Sequence, residues 1–142
     1  MKDSPVLQFV DTNVLVYAHD VSAGEKHERA KALITDMWNS GNGCLSIQVL
    51  QEFYVTMVRK VVRPLEPEVA FQVISDLSQW RVHVPDISDI LGAIRIHQRN
   101  KLSFWDSLIL RSAKALGCEV IWTEDFNCGQ CYEGVKALNP FS

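Results

Sequence analysis

Short apolar runs and longer segments of helical periodicity alternate along this sequence. The apolar runs are rich in β-branched or bulky residues and predict strands at residues 6–10, 44–47, 81–84 and 119–123, with a weaker fifth at 135–138. The longer segments predict helices at about 25–40, 48–61, 67–80, 87–100 and 104–116, and a further helix begins near Val14. The pattern therefore predicts a chain in which strands and helices alternate.

Alternating strands and helices favour a parallel sheet that helices cover on both faces. The predicted strands lack alternation of polar and apolar residues, as expected of strands that are buried on both faces. We therefore predict an α/β fold with a mostly parallel sheet of four to five strands. With 142 residues, no internal repeat and no linker rich in Pro, Gly or Ser, residues 1–142 are expected to form one domain.

Two of the predicted strands end next to acidic residues. Asp11 directly follows the first strand, and Thr123 closes the fourth, with Glu124 and Asp125 beyond it. In an open parallel sheet, ligands bind outside the carboxyl ends of the strands, so these acids are expected at the same edge. A purely structural interpretation stays open, since Asp11 or Asn13 could cap the next helix and Asp125 could belong to a turn.

A third acid, Asp106, lies on the apolar side of its predicted helix. The polar face of that helix carries Ser107, Arg111 and Lys114. At about 100° per residue, Asp106 instead falls within the arc that holds Trp105 and Ile109. A carboxylate in that position needs hydrogen bonds, a cation or a proton. Capping is the alternative, because Ser103 and Asp106 have the spacing of a capping box.

A fourth acid, Glu52, lies on the polar side of the predicted helix at 48–61. It shares that side with Gln48, Thr56 and Arg59. Periodicity alone predicts that Glu52 is exposed to solvent, although a polar stripe also suits the wall of a cleft.

Four segments of the chain together resemble the PIN-domain family. They are FVDTNVLVYAHD near the start, LSIQVLQEFY in the middle, LSFWDSLIL at 102–110 and IWTEDF at 121–126, in the order and at about the separations typical of that family. The resemblance spans nearly the whole chain and is greatest to the small prokaryotic PIN proteins that act as VapC-type toxins. It implies a PIN-like three-layer fold in which the acids converge on one pocket.

The resemblance also implies which residues form the site. The family's carboxylates match Asp11, Glu52, Asp106 and, for its more variable fourth acid, Asp125. The small polar residues usually found around them match Thr12, Asn13, Ser46 and Thr123. We expect Asp11 and Asp106 to contact a metal directly and Glu52 to contact the metal or a water molecule. Asp125 is expected to support the site or to hold a second ion.

Members of this family are metal-dependent nucleases, mostly ribonucleases, so the resemblance implies hydrolysis of RNA phosphodiester bonds. The chemistry of the residues agrees with that implication. Clustered carboxylates repel one another unless a cation neutralises them, and oxygen ligands without His or Cys favour Mg²⁺ or Mn²⁺. The resemblance further implies the toxin of a toxin-antitoxin pair, with a small antitoxin protein as partner and a homodimer as the assembly.

Composition narrows how the protein could contact nucleic acid. The net charge of −3 argues against a protein that coats nucleic acid by bulk charge, so local groups must make the contact. Basic residues cluster at Arg59, Lys60 and Arg63, and again at Arg95, Arg99 and Lys101. Either cluster could follow an RNA backbone, or could simply face solvent. The tryptophans at 38, 80, 105 and 122 are expected in the core rather than stacked on bases.

The N-terminal stretch MKDSPVLQFV has neither the length nor the flanks of a signal peptide or a membrane span. We therefore expect a cytoplasmic protein with no membrane partner. The four cysteines are expected to be reduced thiols, because disulfides rarely persist in the cytosol.

Two other functions stay open at this point. A receiver-type signalling module also gathers acids at strand ends, and VHVPD would place Asp86 after the third strand. Receivers need paired acids after the first strand and a lysine after the last, whereas this chain has VDTN and ALNPF there. A catalytically silent PIN domain that only binds a partner is the other alternative, and the complete set of acids argues against it.

Overall fold

The computed structural model describes residues 6–142, which form an α/β fold. The strands are β1 (Gln8–Val10), β2 (Gly43–Ser46), β3 (Arg81–His83), β4 (Val120–Trp122), β5 (Cys131–Tyr132) and β6 (Val135–Leu138). The helices are α1 (Thr12–His19), α2 (Glu25–Ser40), α3 (Ile47–Arg59), α4 (Pro67–Leu77), α5 (Ile87–Arg99) and α6 (Phe104–Ala115), with a 3₁₀ turn at Val21–Ala23. The expected domain of residues 1–142 includes residues 1–5, which lie outside the described residues.

The strands form one sheet in the order β3-β2-β1-β4-β6-β5. All neighbouring strands are parallel except β5 and β6, and Phe9 of β1 pairs with Cys44 on one side and Ile121 on the other. The mostly parallel sheet is therefore confirmed. The expected number of four to five strands is too low, because within residues 6–142 the sheet has six. The additional strand, β5, has two residues and is too short to produce a periodic signal.

The helices pack in two groups against this sheet. In one group α1 packs against α2 and α3, and α3 packs against α4; in the other, α5 packs against α6, which contacts β2, β3 and β6. The central strands bury most of their side chains, with Phe9 and Ile121 fully inaccessible and all four residues of β2 buried. The site described below is built on these central strands, which fix the positions of the residues that follow them.

Helix α6 is oriented differently from the prediction made from its periodicity. Ser107, predicted on the polar face, is fully buried, whereas Trp105, predicted in the core, is 61% exposed. The reason is that α5 packs against α6, and Arg111 donates a hydrogen bond there to the buried Asp89. Trp38 is also exposed, at 42%, so the prediction that the tryptophans lie in the core is wrong for two of the four.

All four cysteines carry free thiols, with Cys44 and Cys118 buried and Cys128 and Cys131 at the surface. Among the described residues, every helix is too short or too polar to cross a lipid bilayer.

Candidate functional site

A cleft of about 510 Å³ contains the four acids singled out from the sequence. It lies at the carboxyl ends of β1 and β4, with residues of α3 and α6 contributing to its walls. The residues that line it are Asp11, Thr12, Asn13, Gln51, Glu52, Val55, Thr56, Lys60, Asp106, Ile109 and Asp125. Four carboxylates far apart in sequence therefore share one concave surface.

Asp11 is the most deeply buried acid of the cleft, with 3% of its surface exposed. Its backbone N–H donates to the carbonyl of Trp122, which holds it beside β4. Its side chain accepts hydrogen bonds from the backbone N–H of Thr12 at 2.7 Å and from the Thr123 hydroxyl at 2.7 Å. Asp11 is also the N-cap of α1, so β1 and α1 meet without an intervening loop and place residues 11–13 together at the cleft.

Thr123 connects two of the acids. Its hydroxyl donates to Asp11 and accepts from the backbone N–H of Asp125 at 3.1 Å, while the Thr123 side chain itself is buried. On the other side, the Asn13 amide donates to both carboxylate oxygens of Asp125, at 3.0 and 3.2 Å. The positions of Asp11 and Asp125 are therefore coupled through neutral polar side chains.

Glu52 is held at both of its carboxylate oxygens. The Thr12 hydroxyl donates to one oxygen at 2.6 Å and the Gln48 amide donates to the other at 3.2 Å. The same Gln48 amide donates to the carbonyl of Trp105 on α6, which links the two walls of the cleft. Periodicity alone predicted a solvent-exposed Glu52, whereas its side chain is partly buried, because Glu52 and Thr56 of the polar stripe line the cleft.

Gln48 is a residue that sequence reasoning did not assign to the site. Only 8% of the surface of Gln48 is exposed, and its side-chain carbonyl oxygen Oε1 has no hydrogen-bond partner among the described residues. The sequence did indicate a contact with Glu52, because Gln48 lies one helical turn before it and residues four apart on a helix are neighbours. Its burial depends on α6 and was not visible in the sequence.

Asp106 is partly buried at the first turn of α6, and its backbone N–H donates to the Ser103 hydroxyl at 3.0 Å. Ser103 therefore caps the helix, as the spacing suggested, while the Asp106 side chain lines the cleft. Burial raises the pKa of Asp106, and the nearby charge of Glu52 raises it further. Only the Ser103 half of the expected capping box is therefore present among the described residues.

Burial also raises the pKa of Asp11, to about 7, although its hydrogen bond from Thr123 opposes this change. The charge of Asp125 adds to the increase. The pKa of Asp125 is itself raised, first by burial and then by the charge of Asp106. Each of these shifts has the sign expected of buried carboxylates that are crowded together.

The donor atoms of the cleft fit a hard divalent cation. Its lining contains carboxylate, amide and hydroxyl oxygens, and no His or Cys is among the lining residues. Within residues 6–142, no three His, Cys, Asp or Glu side chains lie close enough to form a ready-made metal cluster. The acids thus line the cleft without forming a closed set of ligands.

Two further predictions concern residues near the cleft. Ser46 is fully buried and caps α3, its hydroxyl accepting from the backbone N–H of Val49, and it does not line the cleft. Of the basic cluster at Arg59, Lys60 and Arg63, only Lys60 is among the residues that line the cleft. The three basic residues of this cluster, which the sequence did not distinguish, therefore differ in whether they line the cleft.

The family model of the PIN domain matches residues 9–130 of the chain, which includes all four acids. No curated protein sequence matches the chain significantly. Among solved structures, the chain is similar to VapC20 of Mycobacterium tuberculosis, described as a toxin that cleaves the sarcin-ricin loop, with 21% identity and a TM-score of 0.64. That match covers 84% of this chain and 91% of VapC20.

Two toxin-antitoxin structures are similarly close in fold. A complex from Klebsiella pneumoniae matches with 18% identity and a TM-score of 0.68, covering 94% of this chain and 97% of that one. A DNA-bound VapBC from Salmonella typhimurium matches with 18% identity and a TM-score of 0.65, covering 96% and 99%. The fold and the match to the family model agree, and the chain belongs to the PIN domain family.

Proposed function

We propose that this protein is a Mg²⁺- or Mn²⁺-dependent endoribonuclease and that its site is the acidic cleft. One observation carries the proposal: the buried Asp11 carboxylate receives hydrogen bonds from neutral groups alone and shares its cleft with Glu52, Asp106 and Asp125. A structural carboxylate at this depth would normally be paired with a cationic side chain. Among the described residues Asp11 has no such partner within 4 Å, which favours a metal ion as its counter-charge.

Each of the four acids would have its own role in binding the ion or a water molecule. Asp11 and Asp106 would hold the ion directly, and Glu52, fixed by Thr12 and Gln48, would hold the ion or orient a water molecule. Asp125, steadied by Asn13, would support the site or hold a second ion. When bound, the ion would lower the pKa of a bound water and offset negative charge that develops on the phosphodiester.

We further propose that the protein is the toxin of a toxin-antitoxin pair. The support is the fold shared with the VapBC complex and with the Klebsiella pneumoniae toxin-antitoxin complex. An apolar groove of about 570 Å³ between α3 and α4 offers a surface for a small antitoxin, and it includes Tyr54, Phe71 and Ile74. A second apolar groove shares Tyr54 and Ile74 with the first and shares Gln51 and Val55 with the acidic cleft. A segment laid along these grooves would reach the acids and block them.

A homodimer belongs to the same proposal, and α5 provides a surface for it. Ile87, Leu91 and Ile94 are 71%, 59% and 38% exposed and lie at helical spacing on one stripe. Asp86 stands at one end of that stripe and Arg95 lies towards the other, both exposed. Two copies of α5 packed antiparallel would therefore cover the apolar stripe and place opposite charges near each other.

The nuclease proposal is tested by cleavage of labelled RNA stem-loops by the purified protein. One substrate should carry the sarcin-ricin loop sequence, which VapC20 is described as cutting. We expect cleavage with Mg²⁺ or Mn²⁺, none with EDTA, and none by Asp11→Asn, which keeps the shape of the side chain and removes its charge. Asp36→Asn, at an exposed site on α2, is the matched control and should cut normally.

Equal cleavage by wild type and Asp11→Asn would point to a contaminating nuclease and contradict the proposal. Absence of cleavage by the wild type across several RNAs and both metals would favour a catalytically silent PIN domain that only binds a partner.

A further inference from the structure

We propose that Lys60 binds a phosphate of the RNA next to the one that is cut, and so directs the strand along α3. This inference rests on the proposed ribonuclease function. The lining of the cleft carries four acids and, among the described residues, a single base, Lys60. A polyanion is repelled by such a lining unless cations offset the acids.

Lys60 lines the cleft from the C-terminal end of α3, about two turns beyond Glu52 on the same helix. It follows the last residue of α3. Its backbone N–H donates to the carbonyl of Thr56 at 2.8 Å, which fixes the backbone of Lys60 at the end of the helix. Eight residues separate it from Glu52, which is about 12 Å along a helix. A metal ion held by the acids would therefore neutralise charge at one end of the cleft, and Lys60 would supply positive charge at the other.

The ammonium group of Lys60 is available for a ligand. Its side chain is exposed, and within residues 6–142 it forms no ion pair with a carboxylate closer than 4 Å. Between Glu52 and Lys60, the α3 wall of the cleft consists of Val55 and Thr56, both without charge. An RNA backbone running along this wall would meet no further acid before it reaches Lys60.

The neighbouring residue Arg59 provides a matched control. It carries the same charge and is also exposed at the end of α3, yet it does not line the cleft. A general effect of net charge on RNA binding would appear equally in Lys60→Ala and Arg59→Ala. A phosphate contact inside the cleft would appear in Lys60→Ala alone.

The first test is steady-state cleavage of the labelled stem-loop by wild type, Lys60→Ala, Lys60→Arg and Arg59→Ala. We expect Lys60→Ala to raise KM about two- to fivefold, as for the loss of an exposed ion pair, with kcat little changed. Lys60→Arg should restore KM towards the wild-type value, and Arg59→Ala should leave it unchanged. An equal rise of KM in the two alanine variants, or a fall in kcat with KM unchanged, would overturn the inference.

The second test measures RNA binding without cleavage, using fluorescence anisotropy with Ca²⁺ in place of Mg²⁺ over a range of salt concentrations. Loss of one phosphate contact should reduce the slope of log K against log salt by about 0.7 to 0.9 in Lys60→Ala and leave it unchanged in Arg59→Ala. An unchanged slope in Lys60→Ala would overturn the inference even if the wild type cuts RNA. A wild type that neither binds nor cuts RNA would instead overturn the ribonuclease function together with it.

Discussion

At the scale of single residues, Asp11 combines deep burial with an ionisable group. Its pKa in the folded protein is raised to about 7 by burial, against 3.8 for an ordinary aspartate. Between about pH 4 and pH 7 the folded protein therefore keeps a proton that the unfolded chain has lost. Stability must then fall as the pH rises through this window, which is the opposite of the usual behaviour of a salt-bridged aspartate.

We predict that the metal-free protein loses stability between about pH 4 and about pH 7, by at most roughly 4 kcal/mol from this group. Asp11→Asn should lose less over the same range, because it has no such proton to release. Mn²⁺ should raise Tm more at the higher pH, since the ion binds the ionised carboxylate. Thermal unfolding followed by circular dichroism measures both effects, with Asp36→Asn as the control.

A metal-free wild type whose Tm followed the same pH dependence as Asp11→Asn would contradict this account of Asp11. The protein would then hold that carboxylate ionised by some other group.

At the scale of elements, residues at the junctions between strands and helices both cap a helix and contribute to the cleft. Asp11 caps α1 and also lines the cleft, and Ser103 caps α6 through the backbone N–H of Asp106, whose side chain lines the cleft. The capping interpretation and the site interpretation of these acids were therefore not exclusive. A short connection at a strand end both satisfies the first N–H groups of the helix and fixes the side chains that meet there.

Strand β2 depends on a close contact between a glycine and an aromatic ring. A Cβ atom on Gly43 would lie 2.5 Å from carbon atoms of the Trp80 ring. We predict that Gly43→Ala lowers the free energy of unfolding by about 1 to 3 kcal/mol, the usual range for overpacking. Urea denaturation measures the change.

The companion experiment repeats Gly43→Ala in a Trp80→Leu background. The smaller side chain leaves room for the added methyl group, so the two substitutions should be less damaging together than their separate effects suggest. Strictly additive effects would show that the Trp80 ring is not what the methyl group meets.

At the scale of the whole molecule, two apolar surfaces stand out within residues 6–142. One surface lies on α3 and α4 around Tyr54 and Phe71, and the other is the stripe of Ile87, Leu91 and Ile94 on α5. Two such surfaces fit a protein that pairs with a copy of itself and also binds a different partner.

We predict that the wild type sediments as a dimer and that Leu91→Arg sediments as a monomer, because the substitution places a charge in the middle of the α5 stripe. Phe71→Arg makes the same chemical change on the other apolar surface and should remain dimeric. Analytical ultracentrifugation distinguishes these outcomes. A monomeric wild type, or a Leu91→Arg dimer, would contradict the assignment of α5 to the dimer.

The sequence by itself predicted the order of the helices and of five of the six strands in residues 6–142, and it singled out the four acids that line the cleft. Each predicted strand and helix is present, since burial on both faces and helical periodicity are local patterns that the tertiary structure left intact. Asp11, Glu52, Asp106 and Asp125 were found because their motifs lie in a family's characteristic order, and the structure places all of them at one cleft.

Only the tertiary structure decided what each polar face meets. Periodicity identifies the polar side of a helix, but it does not tell whether water, a cleft or another helix lies against that side. Hence Ser107 proved buried and Trp105 exposed, and Glu52 lines the cleft with the buried Gln48 bonded to it. The selection of Lys60 from its basic cluster has the same cause, because the neighbours of a side chain are set by contacts between segments distant in sequence.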